Sequence, residues 1–205
     1  YGMVTLPHGK MKSREGNVID IDDLIKEMHS SAKKIILSSN KSDLASVDQL
    51  SEMIGNGALK YFILKPDAKK DVLFNPNESI DFNGHTGPFI QYTYARICSI
   101  VEKKDKFDIK LKIQRELEPE EKKIIKYIMH YPNVIKHSSE TFNPSVLANY
   151  LFNLAKSYNH FYQKIPILNC DNVDDINLRV TLSKKVSVLI KRGMNILGID
   201  LPSKM

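Results

Sequence analysis

Apolar residues recur at helical spacing through most of this chain, separated by short polar breaks. Leu24, Ile25, Met28, Ala32, Ile35 and Ile36 fall three or four apart and predict one apolar face of a first helix. Asp22 and Asp23 stand in its first turn, where the helix dipole favours negative charge. Ser46 followed by Gln49 has the spacing of a capping box and opens a second helix through Leu50, Met53 and Ile54. Gly55 and Gly57 are expected to interrupt or end it before the apolar stretch from Ala58 to Leu64.

The stretch from Lys65 to Thr86 is rich in Pro, Asn, Asp and Gly. It reads as a long connection with a few extended residues and as the domain boundary. Gly87-Pro88 then launches a helix with the stripe Ile90, Tyr94, Ile97 and Val101. A helix follows from the acidic group around Pro119, and Pro132 is expected to end it and leave a short helix from Asn133. Asn143 caps the next helix, with Leu147, Leu151, Leu154 and Tyr158 as its core line. The last helix begins near Asp174 and uses Leu178, Leu182, Val186, Leu189, Ile190 and Leu197, with Gly198 as its C-terminal stop. The pattern predicts five helices and no strand after residue 87, hence a mainly α fold ending in a helical bundle.

Composition narrows the class. No run approaches the ~18 apolar residues of a membrane span, and no apolar leader segment opens the chain. A start at Tyr1 fits a piece of a longer protein. Cys98 and Cys170 are isolated, and the six histidines show no compact ligand spacing, so neither metal nor disulfide chemistry is expected. Two lone thiols fit a reducing cytosol. The net charge of +6 is lopsided: residues 1–86 hold 11 basic against 12 acidic side chains, and residues 87–205 hold 19 against 12. A basic second part fits a polyanionic partner, and equally a plain lysine-rich surface.

Three groups could carry chemistry. Tyr92 points away from the apolar stripe of its helix, and Arg96 lies four residues on, beside it. Base stacking with a phosphate contact fits that pair, as does a surface tyrosine covered by an arginine stem. Lys184, Lys185, Lys191 and Arg192 lie off the apolar face of the last helix and form a candidate phosphate-facing surface. In "LPHGKMKSREGNV", Lys10, Lys12 and Arg14 alternate with Met11 and Ser13 between Gly9 and Gly16. Such a loop can neutralise phosphate or merely be solvated, and it is not a G-x-x-x-x-G-K-[ST] loop. Periodicity places Tyr162 on the core side with Leu151 and Tyr158, and a terminal residue such as Met205 is ordinarily frayed.

Taken together, the segments resemble arginyl-tRNA synthetases. "GKMKSREGNVIDIDDLI" is similar to the second nucleotide-binding signature of class I aminoacyl-tRNA synthetases, and "SIDFNGHTGPFIQYTYARICSI" to the passage into the anticodon-binding domain. "PSVLANYLFNLAKSYNHFY" and "RGMNILGIDLPSKM" resemble the last parts of that all-helical, DALR-type domain. The resemblance implies residues 1–86 as the helical C-terminal end of a class I catalytic domain and 87–205 as the anticodon-binding bundle. It implies a cytoplasmic, monomeric parent ligase that activates arginine with ATP and its magnesium counter-ion and charges tRNA-Arg, with no structural metal and no membrane. Lys10, Met11, Lys12, Ser13 and Arg14 align with the K-M-S-K-S loop, whose basic groups stabilise the triphosphate. The second lysine of that pattern falls on Ser13 here, so Lys12 sits one place early. By the same resemblance Tyr92, Arg96, Tyr162 and Met205 hold the anticodon loop, which would leave one face of Tyr162 open at the rim of the bundle.

No segment resembles the H-I-G-H signature or the ATP-binding sheet of the family. The expectation is therefore that these residues alone do not activate arginine. Two other readings remain open from sequence: a non-catalytic RNA-binding protein that uses the bundle alone, and a related class I enzyme such as the cysteine synthetase, which would bind zinc.

Overall fold

The structure, a computed structural model, describes residues 2–6, 20–38, 44–103 and 113–205. The elements run β1 (Val4–Thr5), α1 (Ile21–Ser38), α2 (Leu44–Leu64), β2 (Val72–Leu73), α3 (Pro76–Ser79), α4 (Gly87–Glu102), α5 (Pro119–Glu140), α6 (Pro144–Lys164) and α7 (Val173–Ile196). The few extended residues of the long connection form a short parallel pair with the start of the chain, Val4 opposite Val72 and Thr5 opposite Leu73.

Buried apolar side chains gather in two clusters. One joins Met28 and Ala32 of α1 to Ile54, Ala58 and Phe62 of α2, with Phe74 and Ile80 from the connection. Ile35, expected on that face, lies at its edge and is exposed. The second cluster joins Ile90 and Ile97 of α4, Ile124 of α5, the α6 line Leu147, Leu151, Leu154, Tyr158 and Phe161, and Val186 and Ile190 of α7. Tyr61 of α2 also belongs to this second cluster, and its hydroxyl donates to the Ala148 carbonyl at 2.9 Å.

Three expectations need correction. Pro132 lies inside a continuous α5, so the described residues after 86 hold four helices and not five. Pro132 is exposed while Val134 returns to the core, and on an exposed edge of a helix the amide donor that a proline lacks can be replaced by water. Ser46 lies within the first turn of α2, which starts at Leu44, and so does not cap it. That helix also runs straight through Gly55 and Gly57.

These glycines serve close approach. A Cβ at Gly57 would stand 2.4 Å from Gln91 Nε2, and one at Gly87 would stand 2.4 Å from the Gly57 carbonyl oxygen. The α2 backbone and the start of α4 therefore touch. Gly57→Ala is expected to cost up to roughly 2 kcal/mol of stability, an overpacking cost of ~1–3 kcal/mol less the ~1 kcal/mol gained in helix propensity. Chemical denaturation of the variant measures it; a more stable variant would contradict the close contact.

The chain end is held in the same place. Gly198 takes a left-handed φ of +68°, its N–H donates to Asn195 and the Ile199 N–H donates to Met194, which together make a Schellman stop to α7. The segment beyond turns back over α2 and α4. Lys60 Nζ donates to the Gly198 carbonyl at 2.6 Å, and Gln91 Nε2 donates to the carbonyls of Asp200 at 2.8 Å and Met53 at 3.0 Å. Gln91 thus ties the tail, α2 and α4 at one point.

Candidate nucleic-acid interface

Thr86 caps α4 by accepting from the Phe89 N–H, and Pro88 occupies its first turn. With Ile90, Tyr94 and Ile97 in the core, the opposite edge of α4 presents Tyr92 and Arg96. Tyr92 is 42 % exposed and meets Phe82 edge-on, with centroids 6.4 Å apart.

Arg96 organises the site. Its guanidinium carbon lies 4.8 Å from the centre of the Tyr92 ring and 5.1 Å from that of Tyr162. Its Nη1 donates to Asn159 Oδ1 at 2.6 Å, Asn159 Nδ2 donates to Thr93 Oγ1 at 2.9 Å, and Thr93 donates to the Phe89 carbonyl. The cation therefore holds two aromatic rings while a polar chain from α4 and α6 holds the cation. Most of its planar fork of donors stays available to a ligand.

The periodicity reading of Tyr162 fails here. Its ring is 42 % exposed, and Tyr158 and Phe161 take the core positions instead. From Tyr158, Phe161 lies ~60° to one side of the helix and Tyr162 ~40° to the other, so about 100° separates the two; Phe161 turns into the core and Tyr162 toward Arg96. Met205 is not frayed either. It is half-buried, packs against the first core cluster and lines the same cleft, because the stop at Gly198 and the ties from Lys60 and Gln91 fix the segment before it.

Tyr92, Arg96, Tyr162 and Met205 thus stand around one open cleft of about 740 Å³, with Lys103 and Asn169 also on its wall. Lys191 and Arg192 line a separate groove of about 520 Å³ with Met53 and Asp200. Lys184 is exposed on α7 and lines neither. Lys10, Met11, Lys12, Ser13 and Arg14 lie outside the described residues.

Asn159 and Thr93 were not singled out in the sequence, where each is an ordinary polar residue within a helix. A second cluster was missed as well. Glu121, fully buried, accepts both Arg115 terminal nitrogens at 2.8 and 2.9 Å, Arg179 Nε at 2.9 Å and the Glu118 N–H at 2.9 Å. Asp175 accepts Arg115 Nε at 2.8 Å, and Arg179 also donates to the Pro166 carbonyl. Burial pushes the Glu121 carboxyl up, but the two guanidiniums and the backbone N–H outweigh it and hold the group below its ordinary range. This network pins the start of α5 to α7 and to the Pro166 segment that forms one wall of the cleft.

The family model of the DALR anticodon binding domain matches residues 90–205. The chain belongs to this family. Over its full length it is 52 % identical to the arginine–tRNA ligase of Flavobacterium psychrophilum and 47 % identical to that of Bacteroides thetaiotaomicron, covering 34 % and 36 % of those proteins. It also superposes along its whole length on the arginyl-tRNA synthetase of Thermus thermophilus, with a TM-score of 0.90 at 26 % identity, covering 35 % of that chain. The chain thus spans about a third of the length of the curated relatives it matches. As a DALR domain, the bundle of α4 to α7 places its aromatic cleft between α4, α6 and the chain end.

Proposed function

We infer that the chain is the part of an arginine–tRNA ligase that holds the anticodon loop of tRNA-Arg. The observation that carries this is the convergence of Tyr92, Arg96, Tyr162 and Met205 on one cleft in an anticodon-binding domain. Two half-exposed aromatic rings offer stacking faces for unpaired bases, worth ~1–3 kcal/mol per base, and the guanidinium between them meets a phosphate or a base edge. All four residues come from one copy of the chain, which suits the monomer proposed for the parent.

The Tyr162→Ala variant is expected to bind tRNA-Arg more weakly by about 1–3 kcal/mol, with wild-type binding falling steeply with salt. Equal affinity of the two proteins at low salt would remove the stacking role.

Residues 1–86 we assign to the end of a class I catalytic domain and 87–205 to the anticodon bundle. The two core clusters support that division, with Tyr61 and Met205 as side chains that cross it. Lys10 and Lys12, with Met11, Ser13 and Arg14, would meet the triphosphate of magnesium-bound ATP in the parent enzyme, where the ammonium groups offset charge on departing pyrophosphate. This assignment rests on the resemblance of the loop. The parent would join arginine to tRNA in the cytoplasm. Among the described residues no helix is long and apolar enough to cross a membrane.

A further inference from the structure

The aromatic cleft is one end of a longer seam. Helices α4 and α6 run side by side in the same direction: Phe89 meets Phe152 with ring centres 5.2 Å apart, Thr93 and Arg96 bond Asn159, and Arg96 lies over Tyr162. On α6 the residues Phe152, Lys156, Asn159 and Gln163 recur three or four apart and form one stripe. From Phe152 to Tyr162 the seam is about 15 Å long at 1.5 Å per residue, room for several successive nucleotides.

Its far end is basic and aromatic. The His85 ring stacks on Phe152 with centres 3.9 Å apart and a tilt of 28°, and its Nε2 lies 3.0 Å from the Tyr61 hydroxyl. Because that hydroxyl donates to the Ala148 carbonyl, it accepts from His85, so the ring is fixed edge and face. Lys65 Nζ reaches the His85 carbonyl at 3.4 Å, with Glu78 as a counter-charge at 3.7 Å. Lys156 is exposed and forms no ion pair among the described residues. Burial holds the His85 ring below its ordinary value, and the nearby charges of Lys65 and Lys156 lower it further.

We propose that the α4–α6 seam is a track for the RNA strand, with Lys156 and Lys65 at the His85–Phe152 platform contacting backbone phosphate beyond the cleft. The proposal rests on the anticodon-loop reading and adds a second site to it. The strand whose bases stack at Tyr92 and Tyr162 would leave along Asn159 and reach the connection that precedes α4. Positively charged side chains beside aromatic rings are suited to this, since they track the backbone without reading sequence.

The test measures binding of the tRNA-Arg anticodon stem–loop to the 205-residue chain as a function of salt. Lys156→Ala is expected to weaken binding roughly three- to tenfold and to lower the slope of log affinity against log salt by about one. Lys126→Ala, an equal loss of charge on the exposed side of α5, is expected to leave both unchanged. Replacing one backbone phosphate at a time by neutral methylphosphonate is expected to abolish the Lys156 effect at one or two positions only.

If Tyr162→Ala loses affinity while Lys156→Ala binds as wild type, the track is wrong and the cleft stands. Were neither variant to lose affinity, the anticodon reading itself would fall. Equal effects of Lys156→Ala and Lys126→Ala would reduce the seam to general charge and overturn the proposal.

Discussion

Glu121→Ala is expected to cost about 3–5 kcal/mol of stability, the largest effect of any single substitution considered. The carboxylate is fully buried and accepts four hydrogen bonds, three of them from Arg115 and Arg179. Removing it leaves the Arg179 guanidinium, itself only 7 % exposed, with the more distant Asp175 carboxylate at 3.8 Å as its remaining ion-pair partner. Uncompensated charge in that position is far costlier than the pair is stabilising.

The pH dependence follows from the sign of the shift. The folded carboxyl lies below the ordinary value of 4.5, so its contribution is fully present above that value and is lost as pH falls through the depressed folded value. Urea titrations between pH 7 and pH 3 should therefore show a steep loss below about 4.5 in the wild type and a shallower one in the variant. His85 is lowered from 6.5, so it too loses stability on acidification, starting near pH 6.5, and that limb should survive in both proteins. A variant as stable as wild type at pH 7 would show that the network is not a structural tie.

Arg96→Ala is expected to weaken tRNA-Arg binding by roughly 2–4 kcal/mol, more than either tyrosine variant, because it disturbs both stacking surfaces at once. The guanidinium lies over Tyr92 and Tyr162 and is itself held by Asn159. Without it the two rings lose the group that fixes their separation, and the cleft loses its central cation. Arg96→Lys keeps the charge and gives up the planar fork, so an intermediate loss is expected. If Arg96→Lys binds as tightly as wild type, only the charge matters. If Arg96→Ala costs no more than the loss of a surface lysine, the rings are not organised by Arg96.

Helix existence was legible in the chain because each helix buries one continuous apolar stripe, and the stripes of α4, α6 and α7 match the buried residues closely. What was misread has a common cause: local signals yielded to packing. Gly55 and Gly57 look like breaks in one dimension, yet in three they are where α2 receives His29 and Gln91. Pro132 lacks a donor, but on an exposed face of α5 its orphaned partner can be hydrated, so the helix continues.

The site was legible only in part. Tyr92 and Arg96 are four apart, so helical geometry alone makes them neighbours. Tyr162 and Met205 join them from 66 and 109 positions beyond Arg96, at distances no local pattern encodes. The resemblance to a family named them; periodicity alone had placed Tyr162 in the core. The buried Glu121 network was invisible for the same reason, since Arg179 lies 58 residues from its carboxylate. Acidic residues at the starts of α5 and α7 served in the sequence only to mark where those helices begin, while Glu121 and Asp175 turn inward to the arginines.

The central claim is that the bundle grips the anticodon loop, and a footprint of the chain on tRNA-Arg tests it most directly. Protection confined to the anticodon loop and the adjoining stem, and lost in Tyr162→Ala, is the expected result. Uniform protection along the whole tRNA, unchanged in that variant, would mean that the basic surface merely adheres to RNA and would contradict the account.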